Sequence, residues 1–218
     1  MPTKPIVYFF SGLGANKQTF ELLTLDWCEP IFVAWEPPQP RETLAEYALR
    51  LHALRQIPND ANLVGLSFGG MLVTEICKQY PNSKGYLISS NTGTHEFPLW
   101  LKVGKYIPAY RWSPFAQSNR YSLLLRWFLG PKKGAVETLL KGIIAASNPL
   151  FTLWAIDAIM HWNNRTVPAN IERIHGTADK LLPAFLIKNA TLVSGGTHLM
   201  IMNNASIISQ WLQQKIIN

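Results

Sequence analysis

The chain has 218 residues, 48% hydrophobic and 15% charged, which suits one globular domain with a sizeable core and excludes a disordered or low-complexity protein. Lys and Arg number 20 against 13 Asp and Glu, so the net charge is +7; this favours acidic partners, but no recognition motif accompanies the charge and nucleic-acid binding is not expected. The two cysteines, Cys28 and Cys77, are too few for a secreted disulfide scaffold and read as free thiols of a reducing compartment.

Ile6–Phe10 is a continuous apolar run rich in β-formers and reads as a buried strand, too short for a signal-peptide core or a membrane span. No other run reaches spanning length, so a cytoplasmic protein without a transmembrane segment is expected. A second strand is predicted at 31–35, stopped by Pro37-Pro38. Helical spacing over 41–57 puts Leu44, Tyr47, Ala48, Leu51 and Leu54 on one face. Strands at Asn62–Leu66 and 86–89 flank a helix over 68–80. Strand–helix alternation of this kind argues for a mostly parallel sheet with helices on both faces, an α/β architecture.

The pattern then changes. Residues 95–165 offer helix starts, at Ser113-Pro114 and Asn148-Pro149, and a helix-separating Gly130-Pro131, but no convincing strand. They read as an inserted helical cap, with 1–94 and 166–218 forming the core of a single overall domain. Strands at 169–174 and 190–193 and a closing helix over 199–217 complete the chain.

Gly65-Leu66-Ser67-Phe68-Gly69 matches G-x-S-x-G between a predicted strand and a predicted helix. In that context the turn presents a serine at the C-terminal edge of a sheet; the plain alternative is a glycine-rich turn with a capping serine. A serine nucleophile needs a base. His198 follows the last predicted strand and lies at the same sheet edge. His175 reads as structural, His52 as solvated, His161 as a helix end that could instead line a pocket, and His95 as a neighbour of the site. Asp179 follows the strand before His198 and would orient the imidazole; its plain alternative is a turn-forming aspartate. The amides of Phe68 and of Leu13, in the glycine-bearing loop after the first strand, are candidate oxyanion donors. No metal or cofactor is required.

Phe10-Ser11-Gly12-Leu13-Gly14, Gly65-Leu66-Ser67-Phe68-Gly69-Gly70, the block from His175 to Pro183 and Gly195-Gly196-Thr197-His198 together resemble the α/β-hydrolase fold family over nearly the whole chain. The layout is similar to small capped serine esterases, including the pimeloyl-carrier-protein methyl ester esterases of biotin synthesis. The resemblance implies a Ser-His-Asp hydrolase acting through an acyl-enzyme, with a helical cap over the site. Two features depart from it. Ser11-Gly12 stands where many members carry His-Gly, and the chain begins at the family's third strand, so an antiparallel edge pair is not expected.

The insertion holds five of the eight tryptophans. Most of its aromatics should pack it onto the core, leaving a few to roof an apolar acyl pocket. Trp100, Trp112, Trp127, Trp154 and His161 are the candidates, with Arg111, Arg120 and Arg126. Residues 96–165 carry nine basic and three acidic side chains, so +6 of the charge sits there. Such a surface would suit an acidic acyl carrier, with Lys132 and Lys133 as further contacts. The expected substrate is a small-molecule acyl ester or thioester. An acyltransferase on the same triad, a non-catalytic binding protein of the same fold and a membrane-surface lipase remain as alternatives.

Overall fold

A computed structural model describes residues 4–104, 106 and 123–217. Six strands form one sheet in the order β2-β1-β3-β4-β5-β6, and every neighbouring pair is parallel. They are β1 (Ile6–Phe10), β2 (Glu29–Phe32), β3 (Asn62–Leu66), β4 (Lys84–Ile88), β5 (Ile171–Gly176) and β6 (Thr191–Val193). The expected α/β sheet is therefore present, without an antiparallel pair among the described residues.

The run Val7 to Phe10 is apolar throughout because both faces of β1 are covered. Val7 and Phe9 enter one core with Val64, Tyr86 and Ile88; Tyr8 and Phe10 enter the other with Leu63 and Leu87. Alternate residues of a strand point to opposite faces, so these two cores lie on opposite sides of the sheet.

Helix α1 (Leu44–Leu54) opens with a capping box between Thr43 and Glu46. It buries Leu44, Tyr47, Ala48, Leu51 and also His52. His52 is therefore not solvated: its ring stacks on Tyr80 at 4.3 Å, since the helix turns that position toward α2 (Phe68–Gln79). Burial pushes its pKa down, partly opposed by a hydrogen bond to the Pro58 backbone. β2 begins two residues before the expected strand. It ends at Phe32, because Trp35 turns off the sheet to donate its indole N–H to the Ala15 carbonyl and stack on Phe151.

Between β4 and β5 run α3 (Leu99–Gly104), α4 (Leu123–Leu129), α5 (Ala135–Ala145) and α6 (Pro149–His161). Asn148 caps α6 as its sequence suggests, accepting from the Leu150 and Phe151 amides. The expected helix start at Ser113-Pro114 lies outside the described residues. A buried ion pair anchors the first inserted turn: Arg173 on β5 meets Glu96 at 2.6 Å, and the other Glu96 oxygen accepts from the Thr92 amide and hydroxyl. The closing helix is broken at Asn204 into α7 (Met200–Asn203) and α8 (Ala205–Ile217).

Cys28 and Cys77 are buried free thiols, and burial raises their pKa to about 11 and about 12. No single described helix is long and apolar enough to cross a membrane.

Candidate active site

The chain leaves β1 outward to β2 and returns across it through α1 to β3, which then leads the other way to β4. The carboxyl ends of β1 and β3 thus flank the point where strand order reverses, where open α/β sheets hold their ligands. Gly12-Leu13 follows one of these strands and Ser67 the other.

Ser67 sits at φ 50°, ψ −115°, a region that non-glycine residues rarely occupy and that exposes its side chain between strand and helix. The turn is held from several sides. The Ser67 amide donates to the Ile88 carbonyl at 3.0 Å, and the Ser90 hydroxyl donates to the Ser67 carbonyl at 2.6 Å. A Cβ at Gly69 would strike the carbonyl oxygens of Phe10 and Ser11, and one at Gly65 would strike the backbone of Gly70. The motif's two glycines are thus needed for close approach.

His198 Nε2 lies 3.0 Å from Ser67 Oγ, and its Nδ1 lies 2.8 Å from Asp179 Oδ2. Asp179 and His198 are each only 5% exposed, whereas Ser67 is half-buried at the cavity. Asp179 Oδ1 accepts from the Leu181 and Leu182 amides at 2.9 and 2.8 Å. His175 Nε2 stands 2.7 Å from the Leu182 carbonyl and 3.3 Å from Asp179 Oδ2, so that nitrogen must carry the proton between two oxygen acceptors. Burial opposes ionisation of Asp179. The charge of His198 and the hydrogen bonds from His175, His198 and Leu182 outweigh it and hold the carboxyl well below the usual carboxylate range.

The loops carrying Asp179 and His198 are sewn together. Thr177 and Ala178 donate their amides to the carbonyls of Val193 and Gly196, and Gly195 donates to the Thr177 hydroxyl. The amides of Leu13 and Phe68 donate to no protein acceptor among the described residues, and both residues line the cavity in front of Ser67.

That cavity holds about 420 Å³. Its polar described side chains are Thr19, Ser67 and His198; aliphatic residues make up most of the rest. Trp100 lines it. The other described candidates from the insertion, Arg126, Trp127, Trp154 and His161, do not. Trp154 donates its indole N–H to the Glu42 carbonyl and packs on Tyr47 and Phe68, because Phe151 and Trp154 lie on the face of α6 that meets α1. Ile156, Ile159 and Met160 lie on the face toward Ser67. Trp127 is 55% exposed beneath the Lys180 ammonium. His161 ends α6, its Nδ1 2.9 Å from the Asp157 carbonyl, and lines a separate polar depression. His95, 39% exposed beside Glu96, does not line the cavity. Arg126 faces Glu137 at 3.5 Å. Arg111, Trp112 and Arg120 lie outside the described residues.

Sequence reasoning missed the aliphatic walls. Leu140, Ile143 and Ile144 follow helical spacing, a signal that packing against a core also produces. It also missed Asn203, five residues after His198. The Asn203 side-chain amide donates to the Gly130 carbonyl and to Thr197 Oγ1, both at 2.8 Å. Its oxygen accepts from the Lys132 amide at 3.0 Å, and the Lys132 ammonium meets the Asn203 carbonyl at 2.8 Å. Thr197 Oγ1 also donates to Gly130, and Leu199 donates to Leu129. Both neighbours of His198 are therefore bonded to the end of α4. Gly130 takes φ +62°, and a Cβ there would press on Thr197.

A family model described as the alpha/beta hydrolase family matches residues 7–207. The chain belongs to that family. It is 24% identical over 219 residues to the biotin biosynthesis bifunctional protein BioHC of Teredinibacter turnerae, across 84% of this chain and 38% of that protein. The chain thus spans well under half the length of this relative. Among solved structures, a lipase-esterase related protein from Clostridium acetobutylicum aligns with TM-score 0.72 at 16% identity, covering 99% of this chain and 96% of that one. The enol-lactonase from Burkholderia xenovorans aligns with TM-score 0.70 at 16% identity, covering 99% and 92%. An esterase from Thermogutta terrifontis gives 0.71 at 14% identity, covering 98% and 90%. At these identities the likeness is one of fold.

Proposed function

We propose that the chain hydrolyses carboxylic esters through an acyl-enzyme on Ser67, with His198 as the base and Asp179 as the group that orients it. One observation carries this reading: an unbroken contact chain of 3.0 and 2.8 Å from Ser67 through His198 to Asp179, opening on an apolar cavity of about 420 Å³.

Ser67 Oγ attacks the ester carbonyl carbon while His198 Nε2 takes the hydroxyl proton. Charge developing on the carbonyl oxygen falls to the amides of Leu13 and Phe68; each such donor contributes about 3 kcal/mol in other hydrolases. The tetrahedral intermediate collapses, the C–O bond to the alcohol breaks, and His198 gives the alkoxide its proton. Water then attacks the acyl-enzyme with His198 again as base, and the acid and Ser67 are released. Asp179 stays ionised throughout, held by the Leu181 and Leu182 amides, and fixes the tautomer that leaves Nε2 free to accept.

An acidic carrier as the docking partner draws less support. Of the basic side chains that would receive it, Arg126 is engaged with Glu137 and Lys132 with Asn203.

Intact-mass measurement after a fluorophosphonate probe tests the reading. One adduct, absent in Ser67→Ala and accompanied by turnover of p-nitrophenyl esters, is expected. An unlabelled wild-type protein with no ester turnover would overturn it.

A further inference from the structure

Two donors converge on the carbonyl of Ala15, a residue of the cavity wall. The Ala15 amide closes a β-turn by donating to the Gly12 carbonyl at 3.0 Å, and Gly14, third in that turn, takes φ +67°. A left-handed third residue gives the turn its type II form, which glycine adopts without strain. A β-turn bonds its first carbonyl to its fourth amide and makes no use of the amide of its second residue. That residue here is Leu13, which lines the cavity.

A four-residue turn with two glycines is not stiff by itself. Its far end is gripped. The Ser11 hydroxyl, one residue before the turn, and the Trp35 indole N–H each donate to the Ala15 carbonyl at 2.9 Å, so both lone pairs of that oxygen are used. Ser11 is only 3% exposed, and its backbone rests on the start of α2, where a Cβ at Gly69 would strike the Ser11 carbonyl oxygen. Trp35 reaches further. Its ring stands edge-on to Phe68 at 5.7 Å and stacks on Phe151 of α6 at 5.6 Å. One indole therefore touches the turn that carries Leu13, the residue that carries the other oxyanion donor, and an inserted helix. The Phe68 amide is fixed by its place at the head of α2, whereas the Leu13 amide sits on a separate loop after β1. The spacing of the two donors depends on what joins these segments, and Trp35 joins them.

We infer that Ser11 and Trp35 are positioning residues of the oxyanion hole: their shared grip on the Ala15 carbonyl holds the Leu13 amide at the spacing from the Phe68 amide that a developing oxyanion requires. This rests on the reading of Ser67 as the nucleophile and of those two amides as its donors. Neither side chain lines the cavity, so both act through the Leu13 amide. That amide meets full negative charge in the transition state and only a neutral carbonyl in the bound ester. Loss of either grip should therefore lower kcat and leave KM nearly unchanged.

The test uses Ser11→Ala and Trp35→Phe, the second keeping an aromatic ring against Phe68 and Phe151 while removing the N–H. Deleting one oxyanion donor outright lowers kcat about 10²–10³-fold in another hydrolase. Each variant loosens such a donor and should lower kcat about tenfold, and the double variant about 10²-fold. KM for p-nitrophenyl esters should stay within about twofold. The second measurement is inhibition by an alkyl trifluoromethyl ketone. Ser67 Oγ adds to its carbonyl carbon, the hydroxyl proton passes to His198 Nε2, and the C=O electron pair becomes an oxyanion held by both amides. Its affinity should fall by the same factor as kcat, which a general loss of stability would not produce. Melting curves show which variants are folded at the assay temperature, and either one decides alone. An unchanged kcat in a folded variant, or a fall in kcat with no matching loss of ketone affinity, would overturn the inference. Fluorophosphonate labelling separates the levels: a labelled, active wild type whose variants match it defeats this inference alone, whereas an unlabelled, inactive wild type defeats the reading beneath it.

Discussion

The Asn203 side-chain amide donates to the Gly130 carbonyl at 2.8 Å, joining the end of an inserted helix to the segment that follows His198. With the bonds from Thr197 to Gly130 and from Leu199 to Leu129, it clamps His198 on both sides. His198 meets Ser67 and Asp179 through its ring nitrogens alone. Its place over Ser67 therefore depends on where the inserted helices hold its backbone.

Asn203→Ala removes two donated bonds and one accepted bond. A loss of about 1–3 kcal/mol in stability is expected, together with roughly tenfold slower phosphonate labelling as His198 drifts from Ser67. Asn203→Asp keeps the acceptor for Lys132 but loses both donors, and should behave like the alanine variant. Labelling rates beside thermal melts check this. Unchanged labelling in both variants would mean that His198 is held without the strap.

Asp179→Asn keeps the size of the side chain but presents the wrong partner to the imidazole. If the triad operates, kcat should fall by about 10⁴-fold while KM changes little. Steady-state kinetics on one good ester decide it, and a fall of less than tenfold would remove Asp179 from the role.

The same carboxylate should appear in the acid stability of the fold. Its pKa in the folded chain lies below the unfolded value of about 3.9. Its ionised form therefore stabilises the fold above that pH, and the contribution is lost progressively as pH falls from there toward the lower folded value. The difference in unfolding free energy between wild type and Asp179→Asn should shrink as pH drops from about 5 to about 3. Urea midpoints at a series of pH values measure it. A difference that grows on acidification would reverse the sign.

Glu96 and Arg173 are 1% and 4% exposed. Glu96→Ala would leave the guanidinium buried with its carboxylate gone and should cost about 3–5 kcal/mol. Replacing both by Leu and Met should cost much less, because no buried charge remains. Denaturant unfolding of the two variants separates these outcomes.

Much of this was legible in the sequence because it is local or periodic. Continuous apolar runs rich in β-formers announced the strands, and the order of G-x-S-x-G, Asp179 and His198 after separate strands placed all three at one edge. The Asn148-Pro149 start and the Gly130-Pro131 break were equally readable, since capping and helix termination are decided within a few residues. What tertiary structure alone decided is which face of each inserted helix meets the site. Trp154 looked like a pocket aromatic but, with Phe151, binds α6 to α1, while Ile156, Ile159 and Met160 on its other face line the cavity. Helical spacing makes both stripes apolar and carries no information about what each one faces. His52 was misread for the same reason. The clamp of Asn203 on Gly130 joins positions 73 residues apart, and contacts at that separation are set by packing of the whole chain.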